Sequence, residues 1–493
     1  MDLKGILHKK ALWLLLLPLV HWLIHVPYLS IPAVGHHVWR QANTLAVAKN
    51  YATEDMNILY PRIDKNYGTD GITGPQFTSY DYTLAVLYKM GGFSQTTHRY
   101  LSLGISILAL WGCFMLFLHY LKKVLYAGFA AFAVMGIPEF YYYSIAAVPD
   151  ILALASMVWG WWFFYGFLDR GKWSSALFSA LLLALAGMTK LMFLLPGFVI
   201  LAELIQRKIK PGKIWIGTAF IGGLALAGSV AWYMWARYLT QIHGLLEFVH
   251  QIGFLQTQQE VLNAIVKNLF VDTVETWVGY PLLIPFFGGL FLLVKRKNDL
   301  RFWFMAAAAL MYYVVMQRQL VVHGYYMLLF MPVIGLSAGF FMRELKSMKG
   351  QYLVMALIFL SPVWAWARVK HNWTPKDYRV PAEIVDENNQ DSLHKLSGNS
   401  SQWIVGPDQT GCVYFYYLQA KGYPWYNFGD SSSEFVKFRK NGAKGFITNE
   451  HIALNKYIQS LGWKVKVVGE LGSFKWYVWD DSKDSMYKEV IYK

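Results

Sequence analysis

Cysteine is nearly missing from this chain. Cys113 and Cys412 are the only two in 493 residues, which leaves no disulfide framework beyond a single pair and says little about compartment. Charge is scarce as well, at 15% of residues against about 25% in a soluble globular domain. Acidic residues are the scarcer kind, 30 against 45 lysines and arginines. No internal repeat and no low-complexity segment occurs. The missing charge is replaced by apolar length. Hydrophobic residues make up 56% of the chain and aromatic residues 17%, in several runs of about 20, the length that crosses a hydrocarbon core. The runs are continuous rather than alternating, which excludes a β-barrel and predicts a polytopic all-α membrane protein.

A net charge of +15 raises the question of nucleic acid, but the placement of the basic residues argues against it. They sit in short stretches between apolar runs: Lys4, Lys9 and Lys10; Lys122 and Lys123; Arg170 and Lys172; Arg207 to Lys213; Lys295 to Arg301; Arg343 to Lys349. The first long loop, 30–97, instead balances its basic residues with acidic ones. This is the positive-inside pattern, and it places the N-terminus on the cytoplasmic side. The first apolar run has no small-residue cleavage site and is read as an uncleaved helix. A consistent threading gives eleven spans, near 11–29, 99–119, 124–139, 151–168, 173–189, 191–206, 214–236, 280–294, 302–317, 325–342 and 351–367. Two loops, 30–97 and 237–279, are long and external. The first contains a helical piece, Gln41 to Ala52, and a Gly/Tyr-rich piece, Asn66 to Tyr82. The second contains a run around Leu245 to Val249, read either as an interfacial helix or as a soluble linker helix.

These boundaries divide the chain into a membrane module, 1–367, and a tail, 368–493, placed outside. In the tail, short β-like runs at 403–405, 445–448, 463–468 and 476–479 alternate with helical patterns at Ser433–Lys440 and His451–Gln459. They predict a small extracytoplasmic α/β domain. Two aromatic stretches, Tyr414–Tyr417 and Tyr423–Tyr426, either bind sugar rings, meet the membrane or form domain core against the spans, with core the preferred reading.

Chemistry is expected where polar residues gather at membrane depth or where the chain leaves the bilayer. Immediately after the first apolar run comes Gly35-His36-His37-Val38-Trp39-Arg40-Gln41-Ala42-Asn43-Thr44. Two imidazoles, an indole and a guanidinium together suit a lipid-borne substrate: imidazole moves protons, arginine holds phosphate, and tryptophan suits the headgroup level. Asp150 stands after Pro149 where the chain returns to the membrane, as a functional acid or as a helix cap. Lys190 lies at an external junction that topology leaves poor in lysine, and an anion-binding role is preferred there over snorkelling. Arg318 and His323 bracket an external turn that runs on to Tyr325. Arg40, Arg62, Lys65 and Arg99 add positive potential to the same face.

These residues, in this order, resemble the GT-C superfamily of membrane glycosyltransferases, in particular bacterial relatives of the protein O-mannosyltransferases and of the aminoarabinose transferase. The resemblance rests on His37 to Thr44, Pro149-Asp150, Lys190 and His323-Gly324-Tyr325-Tyr326 running to Pro332. It implies a helical module with an outward cavity. It also implies transfer of a sugar from a polyprenyl-phosphate donor to a lipid, glycan or protein acceptor, among membrane lipids and without nucleic acid. The relatives' motif usually reads Trp-Arg-Gln-Ala-Asp-Thr, with the acid as base; here that position is Asn43. A second acidic position falls on Gln76, with Asp81 five residues on. The base is therefore His36 or His37, or Asp81 or Asp150, or the acceptor needs none.

Arg40, Lys190 and Arg318, with His323 and Tyr325 as donors, are expected to hold the donor phosphate. His36, Trp39, Asn43 and Gln76 are expected to line the substrate, with His37, Asp81 and Asp150 as catalytic candidates. A metal-free site is expected, and a divalent metal on His36, His37 and an acidic partner is the alternative. The expected location is the bacterial cytoplasmic membrane. Two rival readings are a flippase of lipid-linked glycans and a catalytically impaired relative that only binds them. A flippase would need polar residues through the midplane and often repeated halves.

Overall fold

A computed structural model describes residues 9–245, 257–296, 299–373, 380–398, 401–426 and 431–480. Each of the eleven predicted spans falls on a helix. Six helices are long and apolar enough to cross a membrane by length and composition: Lys10–Tyr28, Thr97–Leu121, Asp150–Arg170, Lys213–His243, Gly324–Glu344 and Met348–Trp373. A seventh arises if the bent pair Gln258–Trp277 and Tyr280–Lys295, kinked by 114°, counts as one span. Val124–Met135, Trp173–Thr189, Leu191–Gln206 and Leu300–Val315 are shorter apolar helices. The chain is a multi-pass membrane protein. Outward residues such as Leu15, Met234 and Ile284 are more than 60% exposed, as acyl-chain contact requires.

Small residues set how closely the helices pack. A Cβ on Gly335 would lie 2.6 Å from the Ala130 carbonyl oxygen, so Met331–Glu344 and Val124–Met135 meet backbone to backbone. The basic stretches gather at one end of the bundle. There Arg207 pairs with Glu203 and Asp169, Arg301 with Asp299 and Glu203, and Arg296 and Arg343 share Glu344.

The first long loop is more helical than its sequence indicates. The expected helix spans Val38–Thr53, and a second, Ser79–Gly91, lies where a Gly/Tyr-rich loop was expected to end. Its buried face is Tyr80, Asp81, Leu84, Ala85 and Tyr88, a helical period written in tyrosine and aspartate rather than leucine. In the second long loop, Lys213–His243 runs past the expected end at 236, and Gln258–Val266 continues into a π-helical stretch, Lys267–Trp277. Leu246 to Val249, the core of the proposed interfacial helix, lies outside the described residues.

After the last long helix the chain forms a five-stranded sheet: β1 (Gln402–Val405), β2 (Lys421–Pro424), β3 (Gly445–Thr448), β4 (Val465–Leu471) and β5 (Phe474–Trp479). The order is β2-β1-β3-β5-β4, parallel at β2-β1-β3 and antiparallel from β3 onward. Alternation assigns the two faces. Ile404, Phe446 and Tyr477 pack under helices Ser432–Lys440 and His451–Ser460, which match the predicted patterns, while Trp403, Val405 and Trp476 join the large core that continues into the membrane helices. Tyr414–Tyr417 is a buried helical turn in that core, and the Tyr417 hydroxyl donates to the Ala33 carbonyl at 2.8 Å. The edge strand β2, with its Gly422 and Pro424, gave no strand signal in the sequence.

Candidate active site

Five separate segments bring their polar residues to one end of the bundle. The first is the turn before Val38–Thr53. Gly35 passes so close to the segment after the last long helix that a Cβ would lie 1.9 Å from the Asn372 carbonyl oxygen, and His36 N–H donates to that same oxygen at 2.7 Å. The His36 carbonyl accepts from the Tyr142 hydroxyl at 2.7 Å and from Gln41 Nε2 at 3.1 Å. His37 then adopts left-handed backbone, φ +54°, uncommon for a residue with a Cβ and frequent where a site is held under constraint. Gly35→Ala is expected to push this turn off its support. It should lower transfer at least about tenfold while the purified chain keeps its overall resistance to proteolysis.

His37 is fully engaged. Nε2 lies 3.1 Å from the Val322 carbonyl, so Nε2 carries the proton, and Nδ1 accepts from the Tyr143 hydroxyl at 2.6 Å. Burial, then the neighbouring His36 and His323, holds its pKa well below the usual histidine value. A neutral imidazole with both nitrogens occupied has no lone pair left to act as base and none for a metal, so the geometry gives His37 a positioning part. His36, which is exposed, packs its ring on His37 with centroids 3.8 Å apart. Among the described residues no group of three or more His, Cys, Asp or Glu is placed to hold a metal ion.

Arg40 lies in the first turn of the helix and is 5% exposed. Its guanidinium reaches the Tyr325 hydroxyl and donates to Thr44 Oγ1 at 3.3 Å. Asp81, near the start of Ser79–Gly91, faces the same guanidinium. Burial pushes its carboxyl up to about 7, with Arg40 offsetting part of the rise, and Asp81 Oδ2 has no hydrogen-bond partner. A carboxyl poised near neutrality with an open oxygen is suited to take a proton.

Asp150 opens the helix Asp150–Arg170, and Lys190 ends Trp173–Thr189. The two side chains pair directly, and both are buried, at 1% and 8% exposure. Lys190 Nζ also sits over the Tyr326 ring, 3.5 Å from its centroid, and over Tyr325 at 4.8 Å. Lys190 is thus no free cation; its charge is matched by Asp150. His323 packs among these groups, its ring 5.3 Å from those of His37 and Tyr325 and 5.7 Å from Trp39. Burial first, then Lys190 and Arg40, lower its pKa to about 4, so it is neutral at pH 7, and its Nδ1 has no hydrogen-bond partner.

The structure therefore brings together His36, His37, Trp39, Arg40, Asp81, Asp150, Lys190, His323 and Tyr325, with Tyr326 of the same late motif, and adds Tyr143, which the sequence analysis did not single out. Its signal was the run Tyr141-Tyr142-Tyr143 just ahead of Pro149. Asn43 is buried one turn beyond Arg40 and has an interaction of its own. Gln76 is buried in a segment wedged between two helices: Phe77 N–H donates to the Met188 carbonyl, and Trp232 Nε1 donates to the Pro75 carbonyl. Arg318 departs from expectation. It is exposed on Gln317–Val322, and among the described residues no contact ties it to the cluster.

No family model matches the chain, and no curated protein matches it in sequence. Solved structures do match in fold. ArnT from Cupriavidus metallidurans, in a structure bound to undecaprenyl phosphate, superposes with a TM-score of 0.65 at 12% identity, over 94% of this chain and 97% of that one. The oligosaccharyltransferase AglB from Archaeoglobus fulgidus, in complex with an inhibitory peptide and a dolichol-phosphate, gives 0.56 at 12% identity over 97% and 75%. The arabinofuranosyltransferase AftD from Mycobacteria gives 0.50 at 15% identity over 85% and 33%. Together with the membrane helices, the helical first loop and the sheet beyond the last long helix, these likenesses give the chain the GT-C fold.

Proposed function

We propose that this protein moves one sugar from a polyprenyl-phosphate donor to an acceptor on the outer face of a bacterial cytoplasmic membrane. The observation that carries this reading is the convergence of Arg40, the Asp150–Lys190 pair, His323 and Tyr325, from four segments, beside a carboxyl held near neutrality at Asp81. In this mechanism an acceptor hydroxyl attacks the anomeric carbon, and its proton passes to Asp81 Oδ2. The bond from the anomeric carbon to the phosphate oxygen breaks, and its electron pair leaves on the polyprenyl phosphate. Negative charge then grows on that oxygen, where the Arg40 guanidinium, the Tyr325 hydroxyl and the His323 imidazole act as donors. Lys190 holds Asp150 and keeps the tyrosine platform in place.

The orientation is supported by the far end of the bundle. Asp150 and Arg170 lie at opposite ends of a 21-residue helix, about 30 Å apart along its axis. The basic stretches keep company with Arg170, so the cluster lies on the other face. The likeness to ArnT and AglB supports the same donor class, since their structures hold undecaprenyl phosphate and dolichol-phosphate.

The test is incubation of the purified full chain, in vesicles, with a radiolabelled polyprenyl-phosphate sugar. Release of free polyprenyl phosphate is expected. Movement of intact donor between leaflets without cleavage would favour a flippase, and binding without either would favour an impaired relative.

A further inference from the structure

A cleft of about 1110 Å³ lies between the first long loop and the sheet domain, away from the reacting cluster. One wall is the C-terminal ends of the two loop helices, with Asn50, Tyr88 and Phe93; the other carries Gln390, Gln402 and Gln419. We infer that this cleft binds a neutral oligosaccharide, the glycan portion of the acceptor. The inference rests on the transferase reading for that last clause alone.

Four features carry it. First, the cleft is built rather than a gap between loose parts. Tyr67 N–H donates to the Gly422 carbonyl and Gly422 N–H to the Asp64 carbonyl, so the loop pairs with edge strand β2. Lys421 pairs with Glu54, and Glu387 accepts from Ser94 and from Gln95 N–H at 2.9 Å. Binding here needs little ordering of the walls.

Second, the charges nearly cancel. Three lysines face four carboxylates around the lining, which suits neither a phosphate chain nor a polycation. Third, the hydrogen-bonding groups include the side-chain amides of Asn50, Asn66, Gln390, Gln402 and Gln419, whose oxygens accept hydrogen bonds. A ligand rich in hydroxyls supplies donors to such oxygens. Fourth, Phe93 is 40% exposed and leans on Tyr88 with centroids 5.0 Å apart, an aromatic face at the edge of an otherwise polar cleft.

Size and position fix the class further. Drug-sized ligands fill about 300–1,000 Å³, so this volume exceeds what a monosaccharide needs. Tyr88 lies seven residues beyond Asp81 on one helix, about 10 Å along its axis. An extended glycan held in the cleft thus has its end within a short reach of the cluster.

The experiment uses the purified full chain on a glycan array of bacterial surface oligosaccharides of graded length, printed beside their monosaccharides. Donor cleavage is measured on the same preparation. Binding to a subset of neutral oligosaccharides and not to their monosaccharides is expected. Phe93→Ala and Gln402→Ala, each checked for monodispersity, should weaken that binding at least about tenfold. No oligosaccharide binding, or binding unchanged in both variants, overturns the inference. Wild-type protein that cleaves donor but binds no glycan removes the cleft alone. Protein that binds glycan through these residues but never cleaves donor removes the transferase reading and leaves the cleft as a glycan site.

Discussion

Asp81→Asn should lower transfer by about 10²–10⁴-fold, the range that general-base catalysis supplies, while leaving the chain folded and no less stable. The two halves of this expectation have one cause. Asp81 is buried beside Arg40 and its carboxyl is raised to about 7 from an ordinary value of 3.8. The raised value means that the folded chain prefers the acid form. Stability linked to this group is therefore complete below about pH 4 and declines as pH rises toward 7, because the unfolded chain ionises first. Activity runs the other way, since only the carboxylate accepts a proton. The pH–rate profile should rise through an inflection near 7 in the wild type. Asparagine removes the base and also removes the buried charge, so thermal unfolding above pH 7 should move up or stay, not down. An Asp81→Asn chain with wild-type turnover would return the question of the base to Asp150 or to a reaction that needs none.

Lys190→Met should cost about 3–5 kcal/mol of stability, because it strands Asp150 as a buried charge without its partner. Pairing it with Asp150→Asn removes that charge, and the double variant should regain most of the lost stability. The account predicts that activity does not return with the fold. The pair holds Tyr325 and Tyr326 against His323, and losing this preorganised arrangement should leave transfer at least about 10²-fold down. Thermal unfolding and turnover measured on the single and double variants separate the two effects. Full recovery of turnover in the double variant would reduce the pair to a structural staple.

How far the sequence carries depends on what kind of signal each part leaves. The long helices were legible because burial in lipid demands continuous apolar length, and every predicted span lies on a helix. Ser79–Gly91 was not, because its buried face is polar and aromatic for the sake of the site. Strand β2 was not, because its pairing with the first loop depends on backbone groups at Gly422 rather than on side-chain pattern. In the site, Arg40, Lys190, His323 and Tyr325 stood out as cations and donors on a face where topology puts few, and they converge. Their pairings did not stand out. Asp150 and Lys190 are 40 positions apart, and His37 and Tyr143 are 106 apart, distances that only the packed helices close. Arg318 had the same sequence credentials as Lys190 but lies on the exposed side of its short helix.

The central claim is that the cluster around Arg40 cleaves a polyprenyl-phosphate sugar. Its most direct test is the single-turnover release of polyprenyl phosphate by purified wild-type and Arg40→Ala chains, followed from pH 5 to 9. The account predicts release by the wild type that rises through about pH 7, and a fall of at least about 10²-fold in Arg40→Ala at every pH. Equal release by the two chains, or none by the wild type with donor bound, would contradict it.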